Sequence, residues 1–302
     1  MSSRLAIPPD PFEVVRQQRF GMNHVVYSPS GSLIATSDVR MNVAVHRGDE
    51  VVLSRSFESL SQKIRPTDRV RGLQFSPDDR TLYVAAGDTL RAINLANGRE
   101  TWSYTPPRSF GFLIVSPIAL SVSGTGDVAA AFDNGSIAVW DAFGGMRALW
   151  HDNDSPRSLF FMKDGSLLAG TDSFSLCAWD IVSRKKVFKR RLHERVFGMA
   201  ASAFATVVAT RALRTASLWN LESGEELMSI SVGSGLPLVE FHPRKEIVAL
   251  GTHDAIEMVD FDACPFARFS IEDARVISMA FSPDGNELAV GCSDERLRRF
   301  PL

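Results

Sequence analysis

The stretch Val276-Ile-Ser-Met-Ala-Phe281-Ser-Pro-Asp284-Gly-Asn-Glu-Leu288-Ala-Val-Gly-Cys292-Ser-Asp294-Glu-Arg296-Leu-Arg-Arg-Phe300 reads as three strands joined by two tight turns. Residues 276–282 and 288–292 are predominantly apolar and Arg296-Leu-Arg-Arg-Phe300 forms the third strand, while Pro-Asp-Gly-Asn and Ser-Asp-Glu supply turn chemistry. Working outward, the same order recurs six times. Tyr27, Phe75, Val122, Phe161, Ala201, Phe241 and Phe281 close the successive first strands, at spacings of 48, 47, 39, 40, 40 and 40 residues. A fixed period of this size marks a repeat architecture, in which each unit buries its apolar face only by stacking on its neighbours.

The second strands, among them Val128-Ala-Ala-Ala-Phe132 and Ile247-Val-Ala-Leu-Gly251, are continuously apolar rather than alternating. Such strands are covered on both faces, as in the interior of face-packed sheets. Third strands end in an apolar residue followed by a polar one: Trp140-Asp141, Trp179-Asp180, Trp219-Asn220 and Val259-Asp260. A fourth strand follows across a Gly-bearing hairpin turn, as at Asn97-Gly98 and Ser223-Gly224.

These features make the sequence resemble the WD40-repeat β-propellers over nearly its whole length; the Trp-Asp dipeptide, the Ser-Pro-Asp-Gly turn and the period near 40 all agree. The expected fold is all-β, a single domain over 1–302. It is a seven-bladed propeller of four-stranded antiparallel blades at about 21–57, 69–104, 115–151, 155–192, 195–232, 235–271 and 275–300. The seventh blade runs out of chain after its third strand. Residues 12–19, an orphan strand before the first anchor, are expected to pair with Leu297–Phe300 and close the ring, hiding its last open edge.

The resemblance also implies a turn Asp in each blade that bonds a His placed before the first strand. Asp38, Asp88, Asp133, Asp172, Asp254 and Asp294 fit, and blade five departs at Arg211. The partner His is mostly missing; only His151 and His193 fall near its place. Asp favours such turns unaided, because its carboxylate accepts nearby backbone N–H groups, so turn chemistry explains the set. The segment from Ala92 to Tyr104, with Gly98 and Trp102, is similar to the tryptophan-docking repeat of quinone-binding propellers, where an outer Trp locks adjacent blades. Packing by a large aromatic accounts for it without a cofactor.

Lys and Arg number 33 against 35 Asp and Glu, so the formal charge of -2 gives the whole molecule no footprint for nucleic acid or an anionic membrane. A local basic patch stays open. No stretch reaches the length of a membrane span, and the N-terminus lacks the apolar core of a secretory signal, which reads as a cytoplasmic protein. Cys177, Cys264 and Cys292 are scattered without metal-ligand spacing, and no nucleophile elbow, phosphate loop, zinc helix or calcium loop is present. The expectation is a non-enzymatic chain with no metal and no cofactor, monomeric by itself, binding other proteins as a scaffold. A metal- or quinone-dependent enzyme or small-ligand binder acting at the channel mouth is the alternative.

The sharpest functional clue is basic. Arg69, Arg71, Arg157, Arg195 and Arg275 stand four or six residues before their anchors, where the first strands of a propeller begin around one mouth of its central channel. Planar guanidinium forks suit a carboxylate, a phosphate or an acidic peptide. Asp68, Asp154, Glu194 and Asp273 precede these arginines closely, so local ion pairing is the competing account. Phe110 and Phe112, in a Gly-bearing loop, are candidate apolar anchors for the same partner; Phe197, read as a strand residue, is assigned to packing.

Overall fold

A computed structural model of the chain describes residues 13–17, 22–57, 69–109, 113–152, 156–162, 165–202, 206–232, 237–262, 264–271 and 273–302. Their strands form seven four-stranded antiparallel sheets arranged as a propeller. The innermost strands of blades one to seven are Met22–Tyr27, Val70–Phe75, Pro117–Val122, Ser158–Phe161, Gly198–Ala201, Leu238–Phe241 and Val276–Phe281. Blades one to six then run outward through their second, third and fourth strands in chain order, and blade seven through its second and third.

The burial pattern follows from the composition of each strand. Val128–Phe132, the second strand of blade three, is buried at every position, as its unbroken apolar character requires, and Ile34–Asp38 of blade one is buried throughout although Thr36, Ser37 and Asp38 are polar. Outer strands such as Lys185–Arg191 are mostly exposed. Seven apolar clusters result, one at each junction between neighbouring blades. Leu33, Val43 and Val45 of blade one meet Leu73, Phe75 and Leu82 of blade two, and Val248 and Leu250 of blade six meet Ala216 and Leu218 of blade five. The core is therefore a ring of interfaces, and no blade owns a core of its own.

Closure comes from the chain's two ends. Glu13–Gln17 pairs antiparallel with Arg296–Pro301, in the register Glu13↔Arg299, Val14↔Arg298, Arg16↔Leu297 and Gln17↔Arg296. The N-terminal strand thus completes blade seven as the repeat pattern requires. At the seam with blade one the apolar cluster contains, among the described residues, Met22, Val25, Ile34, Ala289 and Leu297. A polar clasp supplements it, in which the Tyr27 hydroxyl donates to Glu287 and Arg299 Nε donates to the same carboxylate oxygen at 2.7 Å.

Trp102 locks two blades as anticipated. Its Nε1 donates to Ala142 O of blade three at 3.3 Å, and its ring stacks on Trp140 at 5.9 Å between centroids. The turn above it needs glycine at 144, where φ is +88° and a Cβ would sit 2.6 Å from Trp102 Cγ. Phe188 lies under the equivalent turn of blade five in the same manner, against Gly224.

The turn aspartates cap their own backbone. Asp38 Oδ1 accepts from the N–H of Arg40 and of Asn42, Asp172 Oδ1 from Phe174, and Asp294 Oδ1 from Arg296. One element of the buried polar network survives in altered form: Asp152, beside His151, accepts the Trp179 indole N–H at 2.5 Å and pairs with Lys186 at 3.1 Å. His151 itself is exposed.

Candidate functional site

Because all seven inner strands run the same way, the residues that lead into them gather at one end of the channel. Val70 is buried against blade one; Arg69 precedes the strand and is exposed, whereas Arg71 sits at the register shift between Val70 and Gly72 and is half-buried in the channel wall. Arg157 leads into Ser158 and reaches the channel mouth; Arg195 and Arg275 are exposed on the same end, outside the channel lining. The five arginines thus divide into a channel pair, Arg71 and Arg157, and an outer set of Arg69, Arg195 and Arg275. Phe110 and Phe112 lie outside the described residues.

Among the described residues none of the five enters a salt bridge. Arg157 Nε donates to Ser173 Oγ at 3.1 Å, and Arg195 lies over the Phe197 ring, 5.3 Å from its centroid. Glu194, the acidic neighbour of Arg195, instead accepts the Thr215 hydroxyl. Arg71 Nε is buried with no hydrogen-bond partner. Burial, and next the nearby Arg69 charge, lower the Arg71 pKa, while the Asp133 carboxylate acts in the opposite direction. Phe197 differs from its sequence assignment. The inner strand of blade five starts one residue later, at Gly198, and leaves the Phe197 ring half-buried in the channel wall under a guanidinium.

The channel itself encloses about 860 Å³ and is lined by the inner strands of all seven blades. Much of its polar lining stitches blades together. Val25 N–H donates to Ser278 Oγ, Asn23 Nδ2 and His24 Nε2 donate to Val70 O, Val122 N–H donates to Gln74 Oε1, and Phe161 N–H donates to Ser121 Oγ. Glu240 occupies in blade six the position that Gln74 and Ser121 hold in blades two and three, one residue before the anchor. Burial pushes its carboxyl up to about 8, against the pull of Arg211, and burial pushes His24 down to about 4.

Arg211 is the channel residue that sequence reasoning passed over. It ends the second strand of blade five, paired with Gly198, and its side chain crosses that glycine into the channel. Its one trace in the sequence is the missing turn Asp of blade five, noted as a departure from the repeat and not as a cation.

Groups suited to covalent or proton-transfer chemistry are committed elsewhere. His242 Nδ1 accepts the N–H of Arg244 and of Lys245, which leaves Nε2–H to donate to Gly285 O at 3.0 Å. Burial pushes the Cys177 thiol up to about 12 and Cys292 to about 11, so both behave as apolar core atoms. Among the described residues no three His, Cys, Asp or Glu side chains group to hold a metal ion, and no helix is long and apolar enough to cross a membrane.

Set beside known families, residues 266–300 match the model described as WD40: WD domain, G-beta repeat. The match covers the last strand of blade six and the three strands of blade seven that opened the sequence reading.

Proposed function

We propose that this seven-bladed propeller, whose residues 266–300 match the WD40 repeat, is a WD40-family scaffold without catalytic activity that grips an acidic or phosphorylated segment of a protein partner at the arginine-bearing rim. Propellers of this family generally serve as protein-interaction platforms. The observation that carries the finer reading is that Arg69, Arg195 and Arg275 stand exposed around one channel mouth with no carboxylate at salt-bridge distance among the described residues. An exposed cation without a described counter-charge offers its charge to an incoming acidic group; Asp68 and Asp154, the sequence candidates for local pairing with Arg69 and Arg157, lie outside the described residues. Exposed Phe174 and Leu213, on the turns after the second strands of blades four and five, offer apolar contact on the same end.

Two further readings go with this one. The ring hides its last sheet edge within itself, which supports a monomer. Three free cysteines, two of them fully buried, support a reducing compartment such as the cytoplasm.

The test is Arg69→Glu, Arg195→Glu and Arg275→Glu combined in one chain and used as bait beside the wild type. A partner held by the wild-type protein should be lost from the variant at least about tenfold, with the melting temperature within about 2 °C. A large drop in melting temperature would make the arginines structural. Undiminished capture would place the partner elsewhere on the disc.

A further inference from the structure

Four ionisable side chains of opposite sign meet in the channel without pairing: Arg71, Arg157, Arg211 and Glu240. Among the described residues none of them takes part in a salt bridge, and the Arg71 Nε has no hydrogen-bond partner at all. Desolvation is the largest influence on both Arg71 and Arg211 and works against their charge. The pull of Asp133 on Arg71 and of Glu240 on Arg211 opposes that burial cost but closes into no salt bridge among the described residues, so a site that gathers these guanidiniums suits an anion that is not part of the chain.

Two details of sequence hold this arrangement open. Gly198 is the first: a Cβ there would lie 2.3 Å from Arg211 Nε and 2.8 Å from its Nη2, so only glycine lets the guanidinium rest in the channel. The second is Glu240, placed where Gln74 and Ser121 bridge to the next blade. No hydrogen bond to it is formed among the described residues, and its carboxyl faces the lumen.

We propose that the central channel is a binding site for a small anion carrying two or more acidic groups, phosphate or carboxylate, held by Arg71 and Arg211 in the wall and by Arg157 at the mouth. Each guanidinium offers a planar fork to one acidic group, and 860 Å³ is room for a ligand of metabolite size. The site is independent of the partner-binding rim, because Arg69, Arg195 and Arg275 do not line the channel.

Glu240 gives the site its pH response. The charged and titratable groups around it are Arg211 from the second strand of blade five, His24 from the inner strand of blade one, and Arg71 and Arg157 across the channel. His24 is neutral at ordinary pH, so it adds no charge there. Protonated, Glu240 donates to an anion; ionised, it repels one and competes for Arg211. Binding therefore weakens as the pH rises through about 8.

The experiment is calorimetric titration of the full chain with pyrophosphate and, separately, citrate. Saturable one-to-one binding by at least one probe is expected, and the probe that binds names the acid class. Arg211→Met should weaken it at least about tenfold, and Gly198→Ala, which keeps every charge, should do the same by displacing the guanidinium. Glu240→Gln should abolish the loss of affinity between about pH 7 and about pH 9. A variant with Arg195→Glu and Arg275→Glu, which leaves Arg69 in place beside Arg71, should bind as the wild type does, which separates this site from the partner reading. Should Arg211→Met fail to fold, Arg71→Met measured in the same way decides. Absence of binding by either probe up to about 10 mM, or binding that survives both Arg211→Met and Gly198→Ala undiminished, overturns the proposal.

Discussion

A single imidazole shows how residue chemistry sets the conditions under which this ring is stable. His242 serves as an acceptor to two backbone N–H groups through Nδ1, a role that protonation abolishes, and burial accordingly lowers its pKa. His24 is held neutral more strongly, down to about 4. A depressed folded pKa means the contribution is present in full above the unfolded value near 6.5 and is lost as the pH falls through the folded one. Glu240 has the opposite sign: its pKa is raised from 4.5 to about 8, so its contribution is present in full below 4.5 and lost as the pH rises towards 8. The two contributions oppose one another between about pH 4.5 and about pH 6.5, so denaturant titrations of Glu240→Gln, which removes the second, should show an acid-side loss on the order of 3 kcal/mol between about pH 6.5 and about pH 4. A flat acid limb would mean these histidines are reached by water in the native state.

Between elements, the decisive contact is an outer-strand side chain beneath the neighbouring blade's turn. Trp102 joins blade two to blade three through its ring and its indole N–H, and Gly144 yields the space. Trp102→Ala should cost about 2–4 kcal/mol, since the residue is large but only half-buried. Gly144→Ala should cost more than about 1 kcal/mol in the wild type, from its positive φ and the clash together, and less once Trp102 has been removed. Chemical denaturation of the two single variants and the double variant measures that coupling, and strict additivity would show that the turn and the indole act separately. The lock was legible at Trp102 because the residues around it carry a recognisable turn. It was less so at Phe188, which does the same work against Gly224 without the tryptophan that draws notice.

The whole molecule depends on a seam made by residues almost the full chain length apart. Blade seven keeps its outer edge only while Glu13–Gln17 pairs with Arg296–Pro301, and Ala289 and Leu297 of that blade pack on Met22, Val25 and Ile34 of blade one. Removal of residues 1–20 should abolish cooperative unfolding or cause aggregation, seen as a broadened calorimetric transition or loss of the monomer on size exclusion. A truncated chain that melts like the full one refutes the seam's importance. Seven blades, their strand order and this closure were all readable beforehand, because period, turn residues and strand polarity are local properties written along the chain. The arginines at the rim were readable as positions, for the same reason. Their division was not: Arg71 turns into the channel while Arg69, two residues away, stays outside, because the strand begins only at Val70 and a register shift between Val70 and Gly72 interrupts the alternation that would put both on one face. Nor could any period disclose Arg211 and Glu240 as neighbours, since they belong to different strands of different blades and meet only across the lumen. The repeat unit was decided by the sequence alone, through alternation and turn chemistry acting over a few residues. What faces the axis was decided by the closed ring, through approach between segments that the chain holds far apart.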